Sequence, residues 1–146
     1  MSTPTLKEMF RRLWRAGGQQ RSARTVEVFG WLILLEGAIL LLVPRLAVDA
    51  LHLPALVPQG ENYLRLAGLL VGGLGMLYVV SGRLNAQGFV FASLLDRPLV
   101  PPVMLALWWF GILPGPLAAA FALQDFASFV WTLSAWRAEQ RRPDAA

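Results

Sequence analysis

The sequence predicts an all-α integral membrane protein, a four-helix bundle with a basic amphipathic interfacial helix at its N-terminus. Three observations carry this reading. Apolar residues make up 56% of the 146 residues and charged residues 15%, with a mean hydropathy of +0.53. A soluble domain is nearer roughly half apolar and a quarter charged. Four apolar runs, at about residues 26–43, 63–81, 99–113 and 117–136, approach the ~20 residues that a ~30 Å hydrocarbon slab asks of a helix. The basic residues gather on one side of those runs. A chain this small has too little interior to shelter so much apolar surface, so lipid is its expected solvent.

Residues 1–25 form a unit of their own. Leu6, Met9, Phe10, Leu13 and Trp14 recur with the spacing of one helical face, while Lys7, Arg11, Arg12 and Arg15 take the other. Thr5 followed three residues later by Glu8 fits a capping box, and Gly17-Gly18 is expected to end the helix. Such a helix lies flat in the interface, its basic face against anionic headgroups. The segment is too long for the n-region of a cleavable signal peptide. The first span follows and is closed by Pro44. Residues 45–60 are too polar and proline-broken to cross. They are expected to form an outer loop with a short interfacial helix near residues 46–51 and an exposed His52.

After the second span, residues 82–97 read as a connection. The apolar patch at 89–95 is too short to cross alone and is expected to form a second interfacial helix. Asp96 and Arg97 then lie at the membrane edge, pairing with neighbours or headgroups. Pro101 and Pro102 suit the first turn of the third span, Pro114-Gly115-Pro116 makes a tight turn, and the fourth span returns. Residues 137–146 form a polar cytoplasmic tail.

Orientation follows from the 13 lysines and arginines. Lys7, Arg11, Arg12, Arg15, Arg21 and Arg24 precede the first span, Arg83 and Arg97 lie between the second and third, and Arg137, Arg141 and Arg142 follow the fourth. Only Arg45 and Arg65 fall on the opposite side. This bias predicts that both termini are cytoplasmic. The net charge of +4, placed beside apolar runs, points to anionic lipid and not to nucleic acid. With no cysteine and one histidine, thiolate chemistry, disulfides and two-histidine metal motifs are excluded. No metal or cofactor is expected.

The polar residues inside the spans are the candidates for function. Glu36 lies about ten residues into span one, roughly 15 Å deep, and Asp125 reaches a comparable depth in span four from the other face. Ser128 and Thr132 extend a polar stripe from Asp125. A charge in the slab costs a few kcal/mol or more, so these groups should face inward. Three arrangements stay open: neutral acids hydrogen-bonded across helices, a polar pocket for a small ligand or proton, and an ion pair with Arg65 reaching down on its long stem. Two carboxylates at one level also suit a general acid–base pair. Gln124 points to a different side and is placed to bond to another span. In span two, Gly68, Gly72, Gly75 and Gly82 mark a face for close helix packing, the glue of helices in lipid.

The glycine-rich second span ending Tyr78…Gly82-Arg83, the following Phe89–Arg97, the proline-opened third span and a fourth span carrying Asp125, Thr132 and Trp136-Arg137 resemble the DoxX-like group of small bacterial four-helix membrane proteins, over about residues 63–137. The resemblance implies a four-helix bundle in the bacterial cytoplasmic membrane and, for some members, association with membrane redox complexes. The basic N-terminal helix departs from that pattern.

No motif specifies a reaction, no catalytic residue is assigned, and an enzyme is not the favoured reading. The first functional expectation is a non-catalytic accessory protein that packs with itself or with other membrane subunits. The alternative is a membrane-embedded small-ligand or acid–base site on Glu36 and Asp125. A proton-coupled exporter of small molecules comes third, because small exporters with a mid-membrane glutamate insert in both orientations and the charge bias here forbids that.

Overall fold

The computed structural model describes residues 4–15 and 17–141. Among them are seven α-helices: α1 Leu6–Trp14, α2 Arg21–Leu42, α3 Pro44–Ala50, α4 Pro58–Arg83, α5 Gln87–Asp96, α6 Val100–Trp109 and α7 Gly115–Gln140, with a 3₁₀ turn at Arg97–Leu99 joining α5 to α6. Four helical runs are long and apolar enough to cross a membrane, Arg21–Leu42, Pro58–Arg83, Gln87–Trp109 and Gly115–Gln140, of 22, 26, 23 and 26 residues. Large apolar side chains such as Leu35, Leu42, Leu69, Leu70, Trp109 and Leu123 are exposed on the outside of the bundle, the pattern of a multi-pass membrane protein. Arg142 and the rest of the expected tail, residues 142–146, lie outside the described residues, as do residues 1–3 of the N-terminal segment.

The third run differs from expectation. Residues 89–95 do form a helix, α5, but it leads directly into the third span. The backbone stays right-handed helical at Asp96, Arg97 and Val100 and at Leu99, so α5, the 3₁₀ turn and α6 follow as one run. Pro98 brings no N–H, and the tightened 3₁₀ turn absorbs that missing donor without breaking the helix. The run stops at Trp109, earlier than residue 113, where Gly111 takes a positive φ of 69°. Proline 114 then caps α7, whose helix continues past Trp136 to Gln140. Elsewhere the expected order holds: Pro44 separates α2 from a short α3, and His52 is exposed.

Helix α2 is the centre of the bundle. Its most extensive contact is with α4, it also packs on α7, and α6 packs on α7, so the helices follow one another in the order α4–α2–α7–α6. The α2–α4 contact is the glycine face. A Cβ at Gly68 would stand 2.5 Å from the Leu41 nitrogen, one at Gly82 2.7 Å from the Ala23 carbonyl oxygen, and one at Gly75 would strike the backbone of Leu34. Helix α2 answers with its own pair: a Cβ at Gly30 would lie 2.6 Å from the Val79 nitrogen, and one at Gly37 would collide with Gly72. Gly72 is the looser member, since a Cβ there would sit 3.9 Å from the Gly37 Cα, ordinary contact. With the backbones this close, van der Waals packing replaces the hydrophobic push that lipid does not supply.

The buried cluster of Ala23, Val26, Phe29, Ile33, Tyr78 and Val90 sits beside this contact. Tyr78 is its hinge point, edge-on to Phe29 at 5.6 Å and to Phe89 at 4.8 Å between ring centroids, the arrangement aromatic quadrupoles prefer.

Helix α1 forms as its pattern predicts. The Thr5 hydroxyl accepts from the Glu8 N–H at 3.4 Å, and Arg12 pairs with Glu8 at 2.6 Å. It ends at Trp14, before the glycines. Leu6, Phe10 and Trp14 are exposed along one stripe. The following link is tied to the base of the bundle. Gln19 Nε2 donates to Glu27 at 2.7 Å and to the Gly82 carbonyl at 3.0 Å, and Asn85 accepts from the Gln20 N–H at 2.8 Å. Arg83 pairs with Glu27 at 2.7 Å and donates to the Leu13 carbonyl at 3.2 Å.

Candidate functional site

Asp125, Ser128, Thr132 and Glu139 recur on α7 at spacings of three, four and seven residues, which places them along one helical face, with Gln124 at its margin. That face meets α2. At one end Glu139 accepts from the Ser22 N–H at 2.8 Å and from the Ser22 hydroxyl at 2.6 Å. Further along, the Thr25 hydroxyl lies 2.7 Å from the Ser22 carbonyl and 2.9 Å from the Thr132 hydroxyl, so its one proton serves either acceptor. Beyond Asp125, Gln124 Nε2 donates to Glu36 Oε2 at 3.1 Å. The result is a polar seam between two apolar helices.

Arg97 enters this seam from the third run and is its unexpected member. It is fully buried, at 0% exposure, and so is not open to pair with headgroups. Once residues 87–109 follow as one helical run, a residue near its middle is carried into the bundle. Arg97 Nη1 donates to the Thr132 hydroxyl at 2.8 Å and to the Ser128 carbonyl at 3.2 Å. The guanidinium carbon lies 4.2 Å from the Phe29 ring centroid and 5.2 Å from that of Tyr78. Nε and Nη2 have no hydrogen-bond acceptor among the described residues. A guanidinium cannot shed its charge, and a buried charge without a full set of partners is costly.

The two expected carboxylates do reach the same level, since Glu36 bonds to the neighbour of Asp125. They are not bonded to each other. Gln124 faces Glu36, while the half-buried carboxyl of Asp125 lies within electrostatic range of Arg97, Asp96 and Glu36. Ser128 and Thr132 are buried as expected, although the Ser128 hydroxyl donates back to the Asp125 carbonyl at 2.9 Å. Arg65 is not their counter-ion. It pairs with Glu61 at 3.0 Å and donates to the Leu41 carbonyl at 2.7 Å, capping the end of α2. Its guanidinium finds these acceptors near its own helix start, so its stem has no reason to descend. Arg45 joins Glu61 at 3.2 Å.

Thus Arg97, Thr25, Phe29 and Tyr78 belong to the site, and sequence reasoning placed none of them there. One signal was present: the apolar stretches on either side of Asp96-Arg97 are each short for a span but long enough when joined. No group of three His, Cys, Asp or Glu side chains gathers to hold a metal among the described residues. No protein-family model, curated protein or solved structure matches the chain.

Proposed function

We propose that this chain is a non-enzymatic binding protein of the bacterial cytoplasmic membrane, with both termini inside, whose site is the seam around Arg97. The single observation that carries this is a wholly buried guanidinium between two apolar helices, with Nε and Nη2 left without acceptors among the described residues. Those donors call for an acceptor oxygen. A small molecule arriving from the hydrocarbon supplies it, lies against the rings of Phe29 and Tyr78, and has the carboxyl of Asp125 nearby. Glu36 and Gln124 continue the polar lining outward. An intramembrane charge is by default a functional residue, and a seam that served packing alone would be cheaper built from apolar side chains. The topology draws on the charge bias. Moving Arg97 into the bundle leaves ten basic residues on the inner side against Arg45 and Arg65.

Protein purified in a mild non-ionic detergent, then extracted with organic solvent for mass spectrometry, tests the reading. A small molecule should accompany the wild type and be missing from both Arg97→Gln and Arg97→Lys, the second of which keeps the charge and loses the planar fork. Identical extracts from all three proteins would overturn it. A second reading, an accessory protein packed against itself or other membrane subunits, is favoured by α6, none of whose residues is buried. The same preparation tests it through the mass of the detergent-solubilised particle, where a bare monomer counts against it.

A further inference from the structure

We propose that the groove between the N-terminal half of α2 and the C-terminal half of α7 is a binding site for an anionic phospholipid, with the phosphate on Arg21 and Arg24 and an acyl chain along Val28, Trp131 and Ala135. The groove holds about 550 Å³. Its wall changes character along its length. Arg21 and Arg24 stand one turn apart on the same face of α2, both exposed. One further turn along, Val28 and Trp131 are 45% and 49% exposed and present apolar surface. From Arg21 to Val28 is about 10 Å of helix, the distance over which a phospholipid passes from headgroup to chain.

The charge of the groove suits an anion. No acid lines it. Glu139, on the neighbouring face of α7, is occupied by the Ser22 N–H and hydroxyl. Behind the wall, Thr25 bonds to Thr132, which bonds to Arg97, and no ion pair among the described residues neutralises Arg97. That buried charge adds to the potential of the two surface arginines. Basic clefts between spanning helices are the usual seats of lipid phosphates. The basic residues of α1, Lys7, Arg11, Arg12 and Arg15, are exposed, so that face offers surface attraction to any anionic headgroup. This inference requires only that the chain sits in a bilayer, and it stands or falls separately from the ligand at Arg97.

The test uses the full chain in neutral detergent, titrated with phosphatidylglycerol or phosphatidylcholine of the same acyl chains and read by native mass spectrometry. The wild type should bind phosphatidylglycerol about tenfold more tightly. The double variant Arg21→Gln/Arg24→Gln should lose that preference and Arg21→Lys/Arg24→Lys should keep most of it. Ala135→Trp, which fills the groove and leaves the charges in place, should weaken both lipids. Equal binding of the two lipids by the wild type would overturn the proposal, as would a preference that survives the glutamine pair. So would loss of the preference in Arg11→Gln/Arg12→Gln, which would assign it to α1. Competition by soluble glycerol phosphate at the concentrations effective for the lipid would also sink it, by showing that no chain is seated.

Discussion

The guanidinium of Arg97 lies against the face of Phe29, 4.2 Å from the ring centroid, inside a bundle whose outer surface is apolar. The ring's negative face is a partner that keeps no hydrogen bond for itself, which suits a cation whose Nε and Nη2 have no acceptor among the described residues. In a dry site such a contact is worth about 2 kcal/mol. Phe29→Leu keeps an apolar side chain and removes the π-face. It should lower the stability of the purified protein by about that amount in thermal unfolding in detergent. A leucine variant as stable as the wild type would show that the ring only fills space.

The Thr132 hydroxyl accepts from Arg97 at 2.8 Å. Thr132→Val preserves shape and deletes the acceptor, leaving the Ser128 carbonyl alone, and should cost about 1–3 kcal/mol. Arg97→Met should cost less, or stabilise, because removing a buried charge outright relieves its desolvation. The rank order of the two variants by unfolding midpoint is the check. If the methionine variant is the worse of the two, Arg97 contributes net stability and the argument for a ligand weakens.

The α2–α4 contact should discriminate sharply between neighbouring glycines. Gly75→Leu and Gly37→Leu drive side chains into the opposing backbone and should cost on the order of 1–3 kcal/mol or abolish monodisperse expression. Gly72→Ala meets only ordinary contact, and a Cβ at Gly73 meets nothing within 4 Å, so Gly72→Ala and Gly73→Ala should be nearly neutral. Fluorescence-detected size exclusion of tagged variants reads this directly.

Glu36 and Gln124 meet in the half of the seam away from Arg97. A double-mutant cycle with Glu36→Leu and Gln124→Leu should give a coupling of about 0.6 kcal/mol, the ordinary size for a hydrogen bond between membrane helices. Additive effects would place the two side chains apart in the protein as it exists in detergent.

Glu27 holds the N-terminal link through Gln19 and Arg83 at once. Glu27→Ala removes both acceptors, so the link carrying α1 should open more often. A loss near 1 kcal/mol corresponds to about fivefold faster limited cleavage by trypsin after Arg15. Unchanged cleavage would mean that Asn85 and the Gly82 and Leu13 carbonyls hold the link without Glu27.

The glycines illustrate what a single strand of sequence can and cannot convey. The heptad of Gly68, Gly75 and Gly82 announced a close helix contact, because bare backbone at that period has few other uses in lipid. That Gly30 and Gly37 form the opposing half was equally present as a seven-residue spacing, but it gains meaning only once α2 is known to lie against α4. The carboxylates behaved similarly. Depth along a helix is a matter of counting, so the common level of Glu36 and Asp125 was legible. Which of Gln124 and Asp125 faces Glu36 depends on how α7 is rotated, and that rotation is set by contacts along its whole length.

By itself, the amino-acid sequence determined the four apolar helices, the amphipathic α1 with its cap, and the inward direction of Ser128 and Thr132. Hydropathy, capping and helical period are local properties, summed over adjacent residues and indifferent to partners. Only the tertiary structure decided that residues 87–109 form one run, that Arg97 is buried against Phe29 and Thr132, and that Arg65 turns to Glu61. Each of these depends on which donors, acceptors and ring faces distant segments bring within a few ångströms. A buried charge makes that dependence strongest, because its energy is governed almost entirely by its neighbours.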